Sequence, residues 1–298
     1  MSLAVQADSA RLTAEFARSR TAVAGAAVLT LILLAALFAP LVSPQNPYDL
    51  AQLDIMDAKL EPGAKGLDGK VFLLGTDDQG RDMLSAIFYG LRISLGVGVF
   101  STLAALAIGM AIGLISAYAG GWVDGLIMRI VDLQLSFPAI LIALVLLAVL
   151  GQGVDKILIA LVTVQWAYYA RTVRGNALAE KKREYVDAAR CMAFGPGRIV
   201  FRHILPNVMP PLIVVATVQV AHAIALEATL SFLGLGMPIT SPSLGLLIAN
   251  GFAHSLSGKY WISVFPGIAL LITIVTINLV GDRLRDVLNP RLASHYGA

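Results

Sequence analysis

Few side chains in this 298-residue chain have the types and spacings that carry out catalysis. The single cysteine, Cys191, excludes an internal disulfide framework and any multi-cysteine metal site. The chain contains no G-x-x-x-x-G-K-S/T phosphate loop, no G-x-S-x-G nucleophile elbow and no H-E-x-x-H metal pair. Its four histidines lie too far apart in sequence to suggest a ligand set: His203, His222, His254 and His295. We therefore predict no catalytic residue, no metal ligand and no cofactor-binding residue in this chain.

Carboxylates at two places call for other interpretations. Glu227 lies within an apolar run, where a carboxylate is costly and faces either protein or a water-filled cavity. It is a candidate for a translocation path, although a hydrogen-bonded packing group is the interpretation we favour. The acids of residues 77–82 lack the spacing of a calcium loop. Thr76 and Gln79 have capping-box spacing, which predicts that a short helix begins there.

The composition places these residues in a membrane protein. Of the chain, 57% is apolar and only 14% charged, whereas soluble domains carry roughly 25% charged residues. Hydropathy predicts an all-α integral membrane protein with six transmembrane helices, at 21–43, 93–118, about 126–150, 155–173, about 208–232 and 261–281. The first is too long for a cleaved signal peptide, and no A-x-A site follows it.

Two of these predicted helices have notable details. Gly109 and Gly113 form a small-xxx-small step that favours close packing of a neighbouring helix. The helix at about 126–150 is interrupted in its first half by Pro138 and by two charges, Arg129 and Asp132, whose i, i+3 spacing predicts an ion pair.

The charges of the loops predict the orientation. Between residues 171 and 203 there are eight Lys or Arg against three acids, whereas residues 44–82 carry eight acids against four bases. By the positive-inside rule the first segment is cytoplasmic and the second external, so six helices leave both termini cytoplasmic. No basic run is interleaved with aromatic residues, so we predict no nucleic-acid partner.

The cytoplasmic segment 180–207 is the most informative stretch. Tyr185, Ala188, Ala189 and Met192 recur at i, i+3, i+4 and i+7, which predicts a short helix with a narrow apolar stripe. Gly195 and the two residues after it, Pro and Gly, then break the helix. Such a helix fits a groove on another protein or lies on anionic lipid, and the periodicity leaves both open.

This segment resembles the cytoplasmic EAA loop of the membrane subunits of binding-protein-dependent ABC importers. The matching residues are Ala188, Ala189, Arg190, Arg198, Ile199, His203, Ile204, Leu205, Pro206 and Asn207. Asp187 stands in place of the usual Glu, and Ala193 occupies the customary Gly position. The resemblance implies that a coupling helix docks in a cleft of a separate ATPase. The implied coupling residues are Tyr185, Asp187, Ala188, Ala189, Arg190, Met192, Gly195 and Arg198.

The external loop narrows the resemblance to one branch. Residues 74–82, continuing through Ser85, Tyr89, Gly90 and Arg92, are similar to the signature of C-type permeases of the dipeptide, oligopeptide and nickel importer family. Ala86 stands where Arg is common. Stretches at 121–138, 227–236 and 265–290 fit the same family, with Arg283 in place of a common Gly.

The family resemblance implies a type I ABC importer permease fold in the bacterial inner membrane. The expected parts are an N-terminus and first transmembrane helix at 1–43, an external loop with a short helix at 44–90, a five-helix permease core at 91–281 with a coupling loop at 178–207, and a cytoplasmic tail at 282–298. It also implies a homologous second permease subunit, two ATP-binding subunits that carry ATP and Mg, and an external substrate-binding protein.

The substrate class is expected to be peptides or a similar small solute. The residues do not distinguish dipeptides from oligopeptides, glutathione, nickel or another chelate. A secondary transporter and an intramembrane hydrolase built on His222 are the rival classes. The first lacks matching interrupted helices in the two halves of the sequence. The second needs a nucleophile and a base within reach, and His222 with a membrane serine is the one candidate arrangement.

Overall fold

A computed structural model of the protein describes residues 15–241 and 243–288. Apart from two isolated β-bridges, the regular structure of these residues is helical, which confirms the prediction of an all-α protein. The helices are α1 (Arg20–Leu37), α2 (Ala39–Val42), α3 (Met83–Ala119), α4 (Gly121–Ser136), α5 (Ala139–Leu150), α6 (Val154–Glu180), α7 (Glu184–Cys191), α8 (Pro196–Ile199), α9 (Leu205–Phe232), α10 (Leu244–Phe252) and α11 (Trp261–Leu288). The predicted cytoplasmic ends of the chain, residues 1–14 and 289–298, lie outside the described residues.

Four helical segments of the described chain are long and apolar enough to cross a membrane: α1, α3, the continuous stretch Pro196–Phe232 that includes α8 and α9, and α11. The bent pair α4 and α5 is a fifth candidate. The predicted total of six therefore exceeds what length and composition support in the described residues. The other long helix, α6, has 27 residues but is less apolar, because charges such as Arg171 and Arg174 lie within it.

The single transmembrane helix predicted over about 126–150, with an interruption at Pro138, is instead a broken pair, since α4 and α5 meet at an angle of 88°. Phe137 adopts an extended conformation with φ −94° and ψ 142°, as expected of a residue that precedes proline. Pro138 then stands at the N-cap of α5. The chain therefore turns between the charged α4 and the fully apolar α5.

The prediction that a short helix begins at Thr76 is wrong. The Thr76 hydroxyl donates to the carbonyl oxygen of Asp57 at 2.5 Å and accepts the amide of Leu60 at 2.8 Å, so it holds a loop together. The helix begins at Met83, and the Asp82 carboxylate caps it by accepting the amide of Ser85 at 2.8 Å. From there α3 continues for 37 residues without a break. The short helix expected in the external loop and the transmembrane helix predicted at 93–118 are therefore parts of one helix.

The close packing of α3 on α6 confirms the prediction from Gly109 and Gly113. A Cβ atom on Gly109 would lie against the backbone of Trp166 and the side chain of Tyr169, and one on Gly113 against the backbone of Ala170. Glycine at these two positions lets the two backbones approach closely. This contact aligns α6 with α3 up to the point where α6 leads into α7.

Candidate functional site

Helix α7 is an eight-residue element whose ends are well defined. Arg183 precedes it in an extended conformation, Glu184 and Asp187 lie in its first turn, and Arg190 lies in its last turn. These charges complement the helix dipole. Asp187 and Arg190 also form an ion pair at 2.9 Å, so the shorter acid found in this sequence still reaches its neighbour.

The C-terminus of α7 closes in a Schellman motif. The amide of Ala193 donates to the carbonyl of Arg190 at 2.9 Å, and the amide of Phe194 donates to that of Ala189 at 3.2 Å. The motif places Ala193 in the left-handed region, with φ +55°. This is the position where the resemblance leads one to expect glycine, so the alanine here carries backbone strain. Gly195, by contrast, has an ordinary φ of −64°.

The predicted apolar stripe of α7 is divided between two faces. Ala189 is completely buried, together with Val186, in a cluster that contains Ile204, Val208 and Leu212 of the chain's own core. The exposed members of the stripe and the polar residues beside them form the outer face of α7: Tyr185, Asp187, Ala188, Arg190, Cys191 and Met192. Ala189 thus anchors the helix from within, and a role for the outer face in docking stays a prediction.

Tyr185 connects α7 to two long helices. Its hydroxyl donates to the Glu180 carboxylate at the end of α6, at 2.6 Å, and accepts the side-chain amide of Asn207 in α9, at 3.2 Å. Burial of the hydroxyl, together with the nearby Glu180 carboxylate, raises the pKa of Tyr185 to about 12. The phenol therefore stays neutral and keeps donating throughout the physiological range.

The chain returns towards the bundle through a tight and then a wide helical turn. Gly195 caps the single turn of α8, and the Arg198 guanidinium lies 4.1 Å from the centre of the Phe194 ring. A π-helical turn over Val200–Ile204 follows, in which the amide of Leu205 donates to the carbonyl of Val200. This wider turn comes directly before α9, whose second residue, Pro206, lacks an amide hydrogen and is therefore suited to the first turn of a helix.

Glu227 lies in α9 and is fully buried within this single chain. Its carboxylate accepts hydrogen bonds from the hydroxyls of Ser94 in α3, at 2.9 Å, and Ser231, at 2.7 Å. Gly236 leaves the space that Ser231 occupies, since a Cβ atom on that glycine would meet the serine side chain. The surroundings of Glu227 favour packing over contact with solute, while its place on a translocation path stays an untested prediction.

The acidic external loop contains an ion pair that is buried within the chain itself. Asp77 and Arg81 are both fully buried, 3.9 Å apart, and the guanidinium of Arg81 donates to the carbonyl of Ile239 at 2.7 Å. Burial raises the pKa of Asp77 to about 6, against the opposing charge of Arg81. This pair joins the loop before α3 to the loop after α9.

The predicted ion pair between Arg129 and Asp132 does not form. Asp132 instead pairs with Arg171 of α6, and Asp124 accepts two hydrogen bonds of 2.5 Å from Arg174. Both pairs join α4 to α6 across 39 to 50 residues of sequence. Sequence reasoning missed them because the only available signal, opposite charges on two helices, does not say which helices are neighbours.

Comparison with known families gives two matches. Residues 109–294 match the family described as binding-protein-dependent transport system inner membrane component. Residues 11–62 match the N-terminal TM domain of oligopeptide transport permease C.

Several curated proteins are similar over nearly their whole length. A dipeptide transport system permease protein of Alkalihalophilus pseudofirmus is 36% identical over 93% of this chain and 88% of its own. A di/tripeptide transport system permease protein of Pseudomonas aeruginosa is 37% identical over 93% and 90%. A putative peptide permease protein of Brucella suis is 39% identical over 95% and 91%.

The fold is also found in a solved structure of a transporter. An inward-facing structure of a methionine ABC transporter superposes with a TM-score of 0.57, covering 69% of this chain and 97% of the solved chain, at 22% sequence identity.

Proposed function

Because the chain belongs to the family of binding-protein-dependent transport system inner membrane components, we propose that it carries peptides or a similar small solute through the bacterial inner membrane as the permease subunit of an ATP-driven importer. The names of its relatives, which are dipeptide, di/tripeptide and peptide permeases, support the substrate class. The chain is a transport subunit, and ATP with Mg acts on separate ATPase subunits.

The observation that carries the proposal is that one face of α7 is packed in the core of the chain while its outer face is exposed. Val186 and Ala189 bind it to the chain's own core, while its outer face is open to solvent and includes Met192, 60% exposed. The buried face holds this helix in place, and an exposed apolar side chain is more stable in a groove of a partner protein than in water. We propose the groove of an ATPase subunit as that partner.

Motion of such a partner would reach the transmembrane helices through named contacts. Tyr185 joins α7 to Glu180 and Asn207, and the ammonium group of Lys181 donates to the carbonyls of Ala117 and Tyr118 at the end of α3. A displacement of α7 therefore moves the ends of α3, α6 and α9 together. We propose that closure of two ATPase subunits drives this displacement as a rigid-body transition and switches access between the two sides.

The complete importer would contain further chains. We propose a homologous second permease subunit, which completes the translocation path, and an external substrate-binding protein, which delivers the solute. Glu227 is proposed as a scaffold of the path and not as a solute contact, because it is buried even without the second permease subunit.

The proposed topology has six transmembrane helices and cytoplasmic termini. Helix α6 supplies the sixth, since its 27 residues exceed the roughly 20 that a bilayer requires. Its charges at Arg171 and Arg174 are paired with acids of α4, which lowers the cost of placing them near the membrane boundary.

Co-purification and uptake test the proposal. The full-length chain, expressed with its neighbouring partner subunits, should co-purify with an ATPase and support ATP-dependent uptake of a labelled dipeptide into proteoliposomes. Ala188→Asp places a charge on the outer face of α7, so it should abolish co-purification and uptake while the permease remains inserted and helical.

Two variants make the test specific. Ala51→Asp makes the same change at an exposed position of the external loop and should retain uptake. Ala189→Asp buries the charge inside the permease itself and should lower its own stability. Normal uptake by Ala188→Asp would refute docking through α7, and uptake that needs an ion gradient but no ATPase would refute the importer.

A further inference from the structure

We propose that a groove between α3 and the segment from α8 to the start of α9 binds one acyl chain of an anionic glycerophospholipid. The groove has a volume of about 410 Å³, within the range of roughly 300–1,000 Å³ typical of small-molecule sites. Its walls are apolar, and its main contributors are Met110, Ala111, Leu114, Tyr118, Val200 and Phe201.

The depth of the groove matches one leaflet. Arg92, which is exposed, marks the outer end of the apolar part of α3, and the roughly 20 residues that cross the hydrocarbon core end near Ile112. Met110 and Ala111 then lie at the level of acyl chains in the leaflet beside α7, and Leu114 and Tyr118 lie at the level of its headgroups. An acyl chain that enters the groove would therefore place the headgroup of its lipid at the rim.

The rim is positively charged. Lys181 contacts the carbonyl of Tyr118 at 3.0 Å, and Arg198 and Arg202 follow directly after groove-lining residues of the α8 to α9 segment. Among the described residues none of these three cations forms an ion pair, and both arginines are exposed. The two exposed arginines beside an apolar groove complement a lipid phosphate attached to an acyl chain.

An apolar helix of a partner protein would fill the walls but leave Arg198 and Arg202 without a counter-charge. Two apolar side chains at the mouth of the groove are exposed, Ile115 at 56% and Phe201 at 69%. Lipid is the component that meets both the apolar mouth and the charged rim. The inference rests on the proposed function only for the direction in which the chain is inserted.

Photo-crosslinking tests the site in the full-length chain co-purified with its partner subunits and placed in phosphatidylcholine nanodiscs. The probe is phosphatidylglycerol with a photoactivatable group in its acyl chain, compared with the phosphatidylcholine analogue. Phosphatidylglycerol should label peptides within 107–119 and 196–205, and the choline analogue should label them several-fold less.

Matched variants separate the groove from general contact with lipid. Ala111→Trp fills the groove and should abolish labelling, whereas Ala148→Trp on the exposed side of α5 should not change it. Arg202→Gln should lower the affinity for phosphatidylglycerol roughly five-fold, and Lys156→Gln at the far end of α6 should leave it unchanged. If Ala111→Trp does not fold, the two charge variants decide the question.

Equal labelling by both lipids would overturn the proposal, as would undiminished labelling of a folded Ala111→Trp variant. A crosslink from these peptides to a second permease subunit would replace lipid with protein as the occupant and would also overturn it. Absence of an ATPase from the purified sample would count against the proposed function, while the lipid labelling could still be read.

Discussion

Replacing Ala193 with glycine should stabilise the end of α7. Ala193 is held at φ +55° by the two hydrogen bonds of the Schellman motif, and the left-handed conformation costs an L-residue about 1–2 kcal/mol. Glycine removes this strain but gives the unfolded chain more freedom, worth about 0.4–1 kcal/mol. The expected net stabilisation of the local structure is about 0.5–1 kcal/mol.

Hydrogen exchange measures this change directly. Amides in peptides that cover α7 and residues 192–194 should exchange about two- to five-fold more slowly in Ala193→Gly than in the natural sequence, if exchange follows local opening. Ala188→Gly is the matched control, because Ala188 is exposed and lies within α7 itself. There glycine costs roughly 1 kcal/mol and should speed exchange about five-fold.

The opposite signs of the two substitutions are the essential result. Both change alanine to glycine in one short segment, so differences in composition or in purification cannot produce them. Faster exchange in both variants would refute the assignment of strain to Ala193. It would mean that the turn after α7 does not need the left-handed conformation.

Three further measurements address other parts of the molecule. Gly245→Ala should lower thermal stability markedly, because the new Cβ atom would overlap the backbone of Ala228. In the control, Gly96→Ala, the new Cβ atom meets open space, so stability should not fall. An equal loss of stability in both variants would contradict the packing. Because the pKa of Asp77 is raised to about 6, the folded state holds its proton more tightly than the unfolded state. Stability should therefore fall as the pH rises from about 4 to about 6, and Asp77→Asn should flatten that dependence of the unfolding temperature. Cys191 is exposed, so a membrane-impermeant thiol reagent should label it in inside-out vesicles and more slowly once ATPase subunits are bound; labelling from outside would overturn the topology.

The sequence was most informative where a single local signal decides the structure. Long apolar runs predicted helices at 21–43 and 261–281, and helices α1 and α11 lie there. Gly109 and Gly113 predicted a close helix contact, because a missing side chain has the same effect whichever helix is the neighbour. Pro138 was noted as an interruption, but a local signal does not give the angle of 88° at which the two helices meet.

Elsewhere two local signals competed, and distant contacts selected one of them. Thr76 and Asp82 are both good helix caps. The Thr76 hydroxyl forms hydrogen bonds with the backbone of Asp57 and Leu60, so Asp82 is the residue that caps α3. Asp132 likewise had one basic residue nearby on its own helix and another, Arg171, on α6. In each case the partner that prevailed is remote in sequence, so spacing alone could not identify it.

The two faces of α7 show why this matters for function. An eight-residue helix has only about two turns, so a pattern of apolar residues on it indicates an apolar side without saying what covers it. Val186 and Ala189 are buried in one apolar cluster with Ile204, Val208 and Leu212 of the same chain. A coupling helix needs this internal contact as much as its outer one, because a force applied by a partner moves the membrane helices only if the helix cannot slip on its own core. In the proposed mechanism the buried Ala189 is the joint that transmits the force, while the exposed Ala188 and Met192 form the surface that receives it.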